Sequence, residues 1–183
     1  MFDARPSPVL DCPTSQAKLI ASARGHTDAV AALAFTPDRC LLASVGRDGS
    51  GVLFDLTGSR PSERGRFRAT DGARAVGFAP NSRVLAVGSG SGGVVLFDVS
   101  EKAPAELRGL RGGSGVVGAV GFSPDGKLVA GAGADGTLRV WEPGTSGSDA
   151  RMILPGQGSA VKVIAFSPDG QGAATAGPDG MVR

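Results

Sequence analysis

The 183-residue sequence has no tyrosine, one histidine and two cysteines, and each scarcity excludes a class of function. With only His26 available, no nucleophile stands at a spacing that would bring it to a base, so the sequence offers no catalytic constellation. Cys12 and Cys40 lack the C-x-x-C spacing and neighbouring histidines of a zinc site, and two cysteines make no disulfide framework. We therefore expect a protein that is not an enzyme and that uses no metal and no cofactor.

Charge of one sign and long apolar runs are also missing. Nineteen Lys and Arg residues against seventeen Asp and Glu leave a net charge of +2, which does not call for a nucleic-acid partner. No apolar run approaches the ~18 residues of a membrane span, and the amino terminus has no apolar stretch of signal-peptide length. With thiols that suit a reducing compartment, these features predict a cytoplasmic protein, with the nucleus as the alternative.

Glycine and proline, in contrast, are abundant. The chain has 30 glycines and 12 prolines, yet 41% of its residues are hydrophobic. That combination is typical of a folded chain with many turns and short strands rather than of a disordered one.

A repeat runs through the whole chain. Four phenylalanines, each beside a Pro-Asp-Gly turn or a variant of it, are spaced by 43, 44 and 44 residues: Phe35, Phe78, Phe122 and Phe166. Before each lies an apolar run of strand length, which predicts a strand buried on both faces. A second strand, a tight Asp-Gly turn, a third strand and a more polar outer strand follow. One period therefore predicts one four-stranded antiparallel sheet.

One segment admits a second interpretation. The stretch VGSGSGGVVLFD, residues 87–98, contains the G-x-G-x-x-G spacing of a phosphate-binding loop. Such a loop has to lead into a helix, whose amino-terminal amides receive the phosphates. In the register of the repeat, however, Ser91-Gly92 is the tight turn and VVLFD is the third strand. We therefore predict a hairpin and no nucleotide site.

At these landmarks the sequence resembles the WD-repeat family of β-propellers. The resemblance rests on Gly25-His26, on the Phe-x-Pro-Asp-Gly turns and on the terminal pairs Phe54-Asp55, Phe97-Asp98 and Trp141-Glu142. It implies an all-β fold, an arc of four-stranded blades that forms an incomplete ring. The register predicts one WD-repeat region over 1–183, divided into the end of a preceding blade (1–24), three blades (25–69, 70–111 and 112–155) and a truncated blade (156–183).

The resemblance also implies a buried His–Ser/Thr–Asp–Trp hydrogen-bond set, retained only in part. Phe54 stands where the first blade should have tryptophan, Gly131 removes the hydroxyl of the third blade, and Gln157 stands at the histidine position of the fourth. The retained members are His26, Ser44, Asp48, Asp135, Trp141, Thr175 and Asp179.

In function, the resemblance implies a scaffold that binds other proteins through the narrow face of the propeller. We use that name for the end of the blades where the innermost strands begin. The register assigns to it the small residues Ala29, Ala134 and Pro178 and the basic residues Arg47, Arg74 and Lys162. Because these three charges share one sign, we expect a partner that presents carboxylates or a phosphate.

Two alternatives stay open. A basic segment formed by Arg60, Arg64, Arg66 and Arg68 would suit a nucleic acid or a phosphoinositide, although we expect a solvated outer strand and its flanking loops there. Four blades are also fewer than the roughly seven of the usual ring. The chain is then either part of a longer propeller or a half-propeller that completes its ring by self-association.

Overall fold

The computed structural model of the chain describes residues 22, 24–69, 72–155 and 159–183, and these ranges contain strands and turns but no helix. The strands form three four-stranded antiparallel sheets and one two-stranded antiparallel sheet. The prediction of an all-β fold built from such sheets is confirmed. Within the described ranges, no helix is long and apolar enough to cross a membrane.

In each complete sheet the strands are neighbours in chain order. The first sheet contains β1 (Val30–Phe35), β2 (Leu41–Gly46), β3 (Ser50–Asp55) and β4 (Ser62–Arg68). The second contains β5 (Ala75–Phe78), β6 (Val84–Gly88), β7 (Val94–Asp98) and β8 (Ala105–Leu110). The third contains β9 (Val117–Phe122), β10 (Val129–Gly133), β11 (Leu138–Trp141) and β12 (Met152–Leu154). The fourth pairs β13 (Val163–Phe166) with β14 (Ala173–Ala176).

Glycine at the tight turn between the second and third strands lets each sheet fold back on itself. In the first sheet the Gly49 N–H donates to the Gly46 carbonyl at 3.2 Å, and Gly49 has a φ of 74°, a left-handed value that closes a three-residue hairpin loop. Gly92, with a φ of 103°, joins β6 to β7. Because a strand follows Gly92, the hairpin interpretation of residues 87–98 is confirmed.

Successive sheets pack through their innermost strands, β1, β5, β9 and β13, and form an arc that is not closed. Three apolar clusters fill the spaces between neighbouring sheets, and Trp141 lies in the middle one. Backbone hydrogen bonds add to this packing: the Val117 N–H donates to the Ser89 carbonyl at 3.0 Å, and the Val161 N–H to the Gly133 carbonyl at 3.1 Å. Burial of apolar area between sheets therefore holds the arc together.

The prediction that the apolar runs before the phenylalanines are buried on both faces is wrong at the two ends of the arc. In β1, Val30, Leu33 and Phe35 are exposed, and so is Val163 in β13. Each of these strands has a neighbouring sheet on one side only, so half of its apolar side chains face outward. The blade end predicted over 1–24 lies almost entirely outside the described residues.

Candidate functional site

The three basic residues of the narrow face lie at the same end of their sheets. The Arg47 N–H donates to the Ala29 carbonyl at 3.0 Å, which joins the turn after β2 to the start of β1. The N–H groups of Arg74 and Lys162 donate to the carbonyls of Gly88 and Ala176 at 3.2 and 2.9 Å. Each bond joins the entry of an innermost strand to the end of the strand beside it.

These basic side chains contribute little to the packing of the fold. Arg47 and Lys162 are exposed, as are the small predicted residues of this face, Ala29, Ala134 and Pro178. Arg74 is half-buried, and its Nε is shielded from solvent without a hydrogen-bond partner. In the described part of the chain, none of the three basic residues forms an ion pair. The narrow face therefore holds positive charge that internal contacts do not neutralise.

Two arginines of the predicted basic segment form hydrogen bonds or ion pairs with other residues of the chain. Arg64 donates from one guanidinium nitrogen to the carbonyls of Ser100 and Glu101, at 2.8 and 3.2 Å, and so ties the first sheet to the loop after β7. Arg66 forms a two-bond pair with Glu63, with both distances at 2.7 Å, and donates to a backbone carbonyl as well. Only Arg60 and Arg68 remain exposed without a hydrogen-bond or ion-pair partner among the described residues.

The first sheet assembles a closed polar network around His26. The imidazole Nε2 lies 2.8 Å from Ser44 Oγ, and Nδ1 lies 2.8 Å from Ser50 Oγ and 3.4 Å from Asp48 Oδ1. Since the Ser50 hydroxyl donates to Asp48 at 2.7 Å, a consistent assignment has Nδ1–H donating to Ser50 and Nε2 accepting from Ser44. The His26 side chain is only 5% exposed, which suits a structural role and leaves little room for a substrate.

Asp48 is the acceptor at the centre of this network. Its carboxylate accepts the Thr27 N–H at 2.7 Å, the Ser50 N–H at 3.0 Å and the Ser50 hydroxyl. Hydrogen bonds hold the pKa of Asp48 far below its ordinary value, and the Thr27 N–H contributes most to this, followed by Ser50 and His26. Burial acts in the opposite direction, with a smaller effect than that of the Thr27 N–H. Sequence reasoning missed Ser50, although its place two residues after an aspartate in a tight turn is typical of side chain–backbone bonding.

In the third and fourth sheets, the aspartate at the position of Asp48 has an arginine partner instead of a histidine. Asp135 pairs with Arg139 at 2.8 Å, and Asp179 pairs with Arg183 at 2.7 Å, each four residues further along the chain. A Cβ on Gly113, which stands at the histidine position of the third repeat, would overlap the Arg139 guanidinium. An arginine therefore occupies the space that the histidine ring fills in the first sheet. The shared D-G-x-x-R spacing is the signal that could have revealed it.

Trp141 and Thr175 also find backbone partners. Gly131 offers no hydroxyl to the indole, and Trp141 Nε1 donates instead to the Arg111 carbonyl at 3.0 Å. The Thr175 N–H and carbonyl exchange two bonds with the backbone of Arg183, at 2.8 and 3.0 Å. Among the described residues, His26, Ser44 and Asp48 come together as one network, whereas Asp135, Trp141 and Asp179 bond to other partners.

We expect the Asp135–Arg139 pair to stabilise the third sheet measurably. The two side chains are 19% and 16% exposed, and Asp135 has the Thr137 N–H as its other partner. Arg139→Ala should lower the free energy of unfolding by about 1–2 kcal/mol, because a shielded carboxylate loses its charged donor. The matched control, Arg151→Ala, breaks a surface pair with Glu142 and should cost less than about 0.5 kcal/mol. Equal losses in urea unfolding would contradict the structural role of Arg139.

The stacked four-stranded sheets and their aspartate-centred turns define the chain as a propeller-type repeat protein. It matches the family model described as WD domain, G-beta repeat over residues 17–55, 105–142 and 148–183, which together make up more than half of the chain. The chain belongs to this WD-repeat family. Repeats of the family typically mediate protein–protein interaction and are generally non-catalytic.

The longest unmatched stretch, residues 56–104, contains three of the four strands of the second sheet, which has lost most of the polar set. There Val87 stands at the position of Ser44, and Phe97 at the position of Trp141. No curated protein matches the chain. No group of three or more His, Cys, Asp or Glu side chains that could hold a metal ion occurs among the described residues.

Proposed function

We propose that this chain is a non-catalytic scaffold that binds another protein of a larger assembly through its narrow face. The observation that carries the proposal is the set of three cations at one end of the arc, Arg47, Arg74 and Lys162, none of which has an ion-pair partner in the described residues. Charged groups that contribute little to internal packing are available for a partner.

The chemistry of the face favours an acidic partner segment. Small residues beside the cations, Ala29, Ala134 and Pro178, let a peptide backbone approach closely. Carboxylates or a phosphate on that segment would pair with the guanidinium and ammonium groups. Charge complementarity of this kind raises the association rate more than it raises affinity.

The test is charge reversal at the narrow face, measured with a glutamate-rich peptide as the probe. A variant with Arg47→Glu, Arg74→Glu and Lys162→Glu should associate about tenfold more slowly, and added salt should no longer slow its association, because the attractive field is reversed. Circular dichroism melting should stay close to that of the unmodified chain, since Arg47 and Lys162 are exposed and the half-buried Arg74 forms no ion pair among the described residues.

A matched control carries the same change of charge at the opposite end of the sheets. Arg83, Lys102 and Lys127 are exposed in or next to loops at that end, and their reversal should alter the association rate by less than about twofold. If both variants slowed association equally, the net charge of the chain would account for the effect, and the proposal would be overturned. Salt-dependent binding to single-stranded RNA or anionic vesicles that disappears with Arg60→Ala and Arg68→Ala would favour the basic segment instead.

A further inference from the structure

The loop between the last two strands of the third sheet, residues 142–151, lies along the outer strand β8 of the second sheet. The Arg108 guanidinium of β8 donates to four backbone carbonyls of this loop, those of Glu142, Pro143, Thr145 and Gly147. The bonds to the Glu142 and Gly147 carbonyls measure 3.2 and 3.3 Å, and Arg108 is half-buried. One side chain of the second sheet therefore holds much of a loop that belongs to the third sheet.

A second contact holds the same loop closer to its end. The Arg111 N–H donates to the Ser148 carbonyl at 2.7 Å, and the Arg111 carbonyl accepts the indole N–H of Trp141 at 3.0 Å. Trp141 is 1% exposed and belongs to the apolar cluster between these two sheets. We call residues 142–148 the strap, because bonds from Arg108 and Arg111 hold it against the second sheet.

The boundary between the first and second sheets has a smaller contact of the same kind. Arg64 of β4 uses one guanidinium nitrogen for the carbonyls of Ser100 and Glu101, whereas Arg108 uses two nitrogens for its four carbonyls. A guanidinium suits this role because its planar fork offers five donors in a fixed geometry. At both boundaries of the second sheet, an arginine of one outer strand thus binds the loop of the next sheet.

The second sheet depends on such contacts because it lacks the polar network of the first. Ala69 and Val87 stand at the positions of His26 and Ser44, and neither side chain can form a hydrogen bond. In a repeat protein, the stability of each unit is the sum of its own contribution and those of its interfaces with neighbouring units. A sheet with a smaller contribution of its own relies more on its boundaries.

We propose that Arg108 latches the strap so that the second and third sheets unfold as one unit. The apolar cluster around Trp141 holds the two sheets together by burial, and the latch adds directional bonds from a charged donor, which are stronger than bonds between neutral groups. Without the latch, the second sheet loses four hydrogen bonds to the third and unfolds before it. The latch involves none of the narrow-face cations and does not depend on the proposed function.

Two spectroscopic probes of urea unfolding test the latch. Trp141 is the only tryptophan of the chain, so its fluorescence follows the boundary between the second and third sheets, while circular dichroism follows all the sheets. In the unmodified chain the two transitions should coincide, as they do for a single cooperative unit. In Arg108→Ala the midpoint of the Trp141 transition should lie about 0.5 M urea or more below that of the circular dichroism transition.

Two further variants separate the latch from a general loss of charge. Arg108→Lys keeps the charge but lacks the planar fork, so it should separate the two transitions, by less than Arg108→Ala does. The matched control, Arg83→Ala, removes an exposed arginine next to β6 whose side chain forms no hydrogen bond or ion pair within the described ranges. Its two transitions should coincide.

Three outcomes would overturn the proposal. The first is a separation of the two transitions already present in the unmodified chain, and the second is an equal separation in Arg108→Ala and Arg83→Ala. The third is coincident transitions in Arg108→Ala, which would mean that the apolar cluster alone couples the two sheets. If Arg108→Ala does not fold, Arg108→Lys decides, and coincident transitions in that variant would overturn the proposal in the same way.

Discussion

Replacing Trp141 with alanine is expected to lower the free energy of unfolding by about 3–5 kcal/mol, the range for deleting a large buried aromatic side chain. Trp141 is 1% exposed and belongs to the apolar cluster between the second and third sheets, together with Val94 and Leu96. Its removal leaves a cavity at a boundary between sheets and an unpaired carbonyl at Arg111. Urea unfolding, followed by circular dichroism, measures the loss.

A conservative variant separates packing from hydrogen bonding at this position. Phe97, at the corresponding position of the second sheet, is 2% exposed, so this fold accepts a phenyl ring there. We expect Trp141→Phe to cost about 1–2 kcal/mol, since it removes the indole N–H and part of the volume but leaves most of the apolar contact. If Trp141→Phe destabilised the chain as much as Trp141→Ala, the hydrogen bond to Arg111 would be the main contribution, contrary to this expectation.

Removing the carboxylate of Asp48 should have the second-largest effect. Asp48→Ala deprives the Thr27 and Ser50 N–H groups of their acceptor and removes the carboxylate that lies 3.4 Å from His26 Nδ1. We expect a loss of about 2–3 kcal/mol, because several donors lose one shared charged acceptor while water reaches part of the site. Asp55→Ala is the control: within the described ranges its carboxylate accepts hydrogen bonds from Thr57 alone, and we expect a clearly smaller loss in urea unfolding.

The lowered pKa of Asp48 also predicts how stability depends on pH. The folded chain holds this carboxylate ionised at pH values where the unfolded chain already binds a proton, so its contribution is complete above the ordinary aspartate pKa of about 3.9. As the pH falls below that value toward the lower pKa of the folded state, the contribution is lost. In unfolding measured from about pH 5 to pH 2, Asp48→Asn should reduce this acid-induced loss of stability. An unchanged slope would contradict the assignment.

The sequence by itself determined the repeating part of the fold, because that part rests on local preferences. The spacing of the phenylalanines sets one sheet per period, and the Asp-Gly turns have glycine where Gly49 and Gly136 need positive φ. Apolar strands between such turns have to pair with their sequence neighbours, which makes each sheet antiparallel. The hairpin at residues 87–98 follows from the same local rules.

The tertiary structure alone decided which side chains meet across strands and sheets. Arg139 takes the place of a histidine because its long side chain reaches Asp135 on the same face of a turn, a contact that a repeat pattern centred on His26 does not indicate. Arg64, which looked like a surface charge, spans from the first sheet to the second. The exposure of Leu33 depends on whether a neighbouring sheet covers it, and burial of that kind is a property of the assembled arc rather than of any single strand.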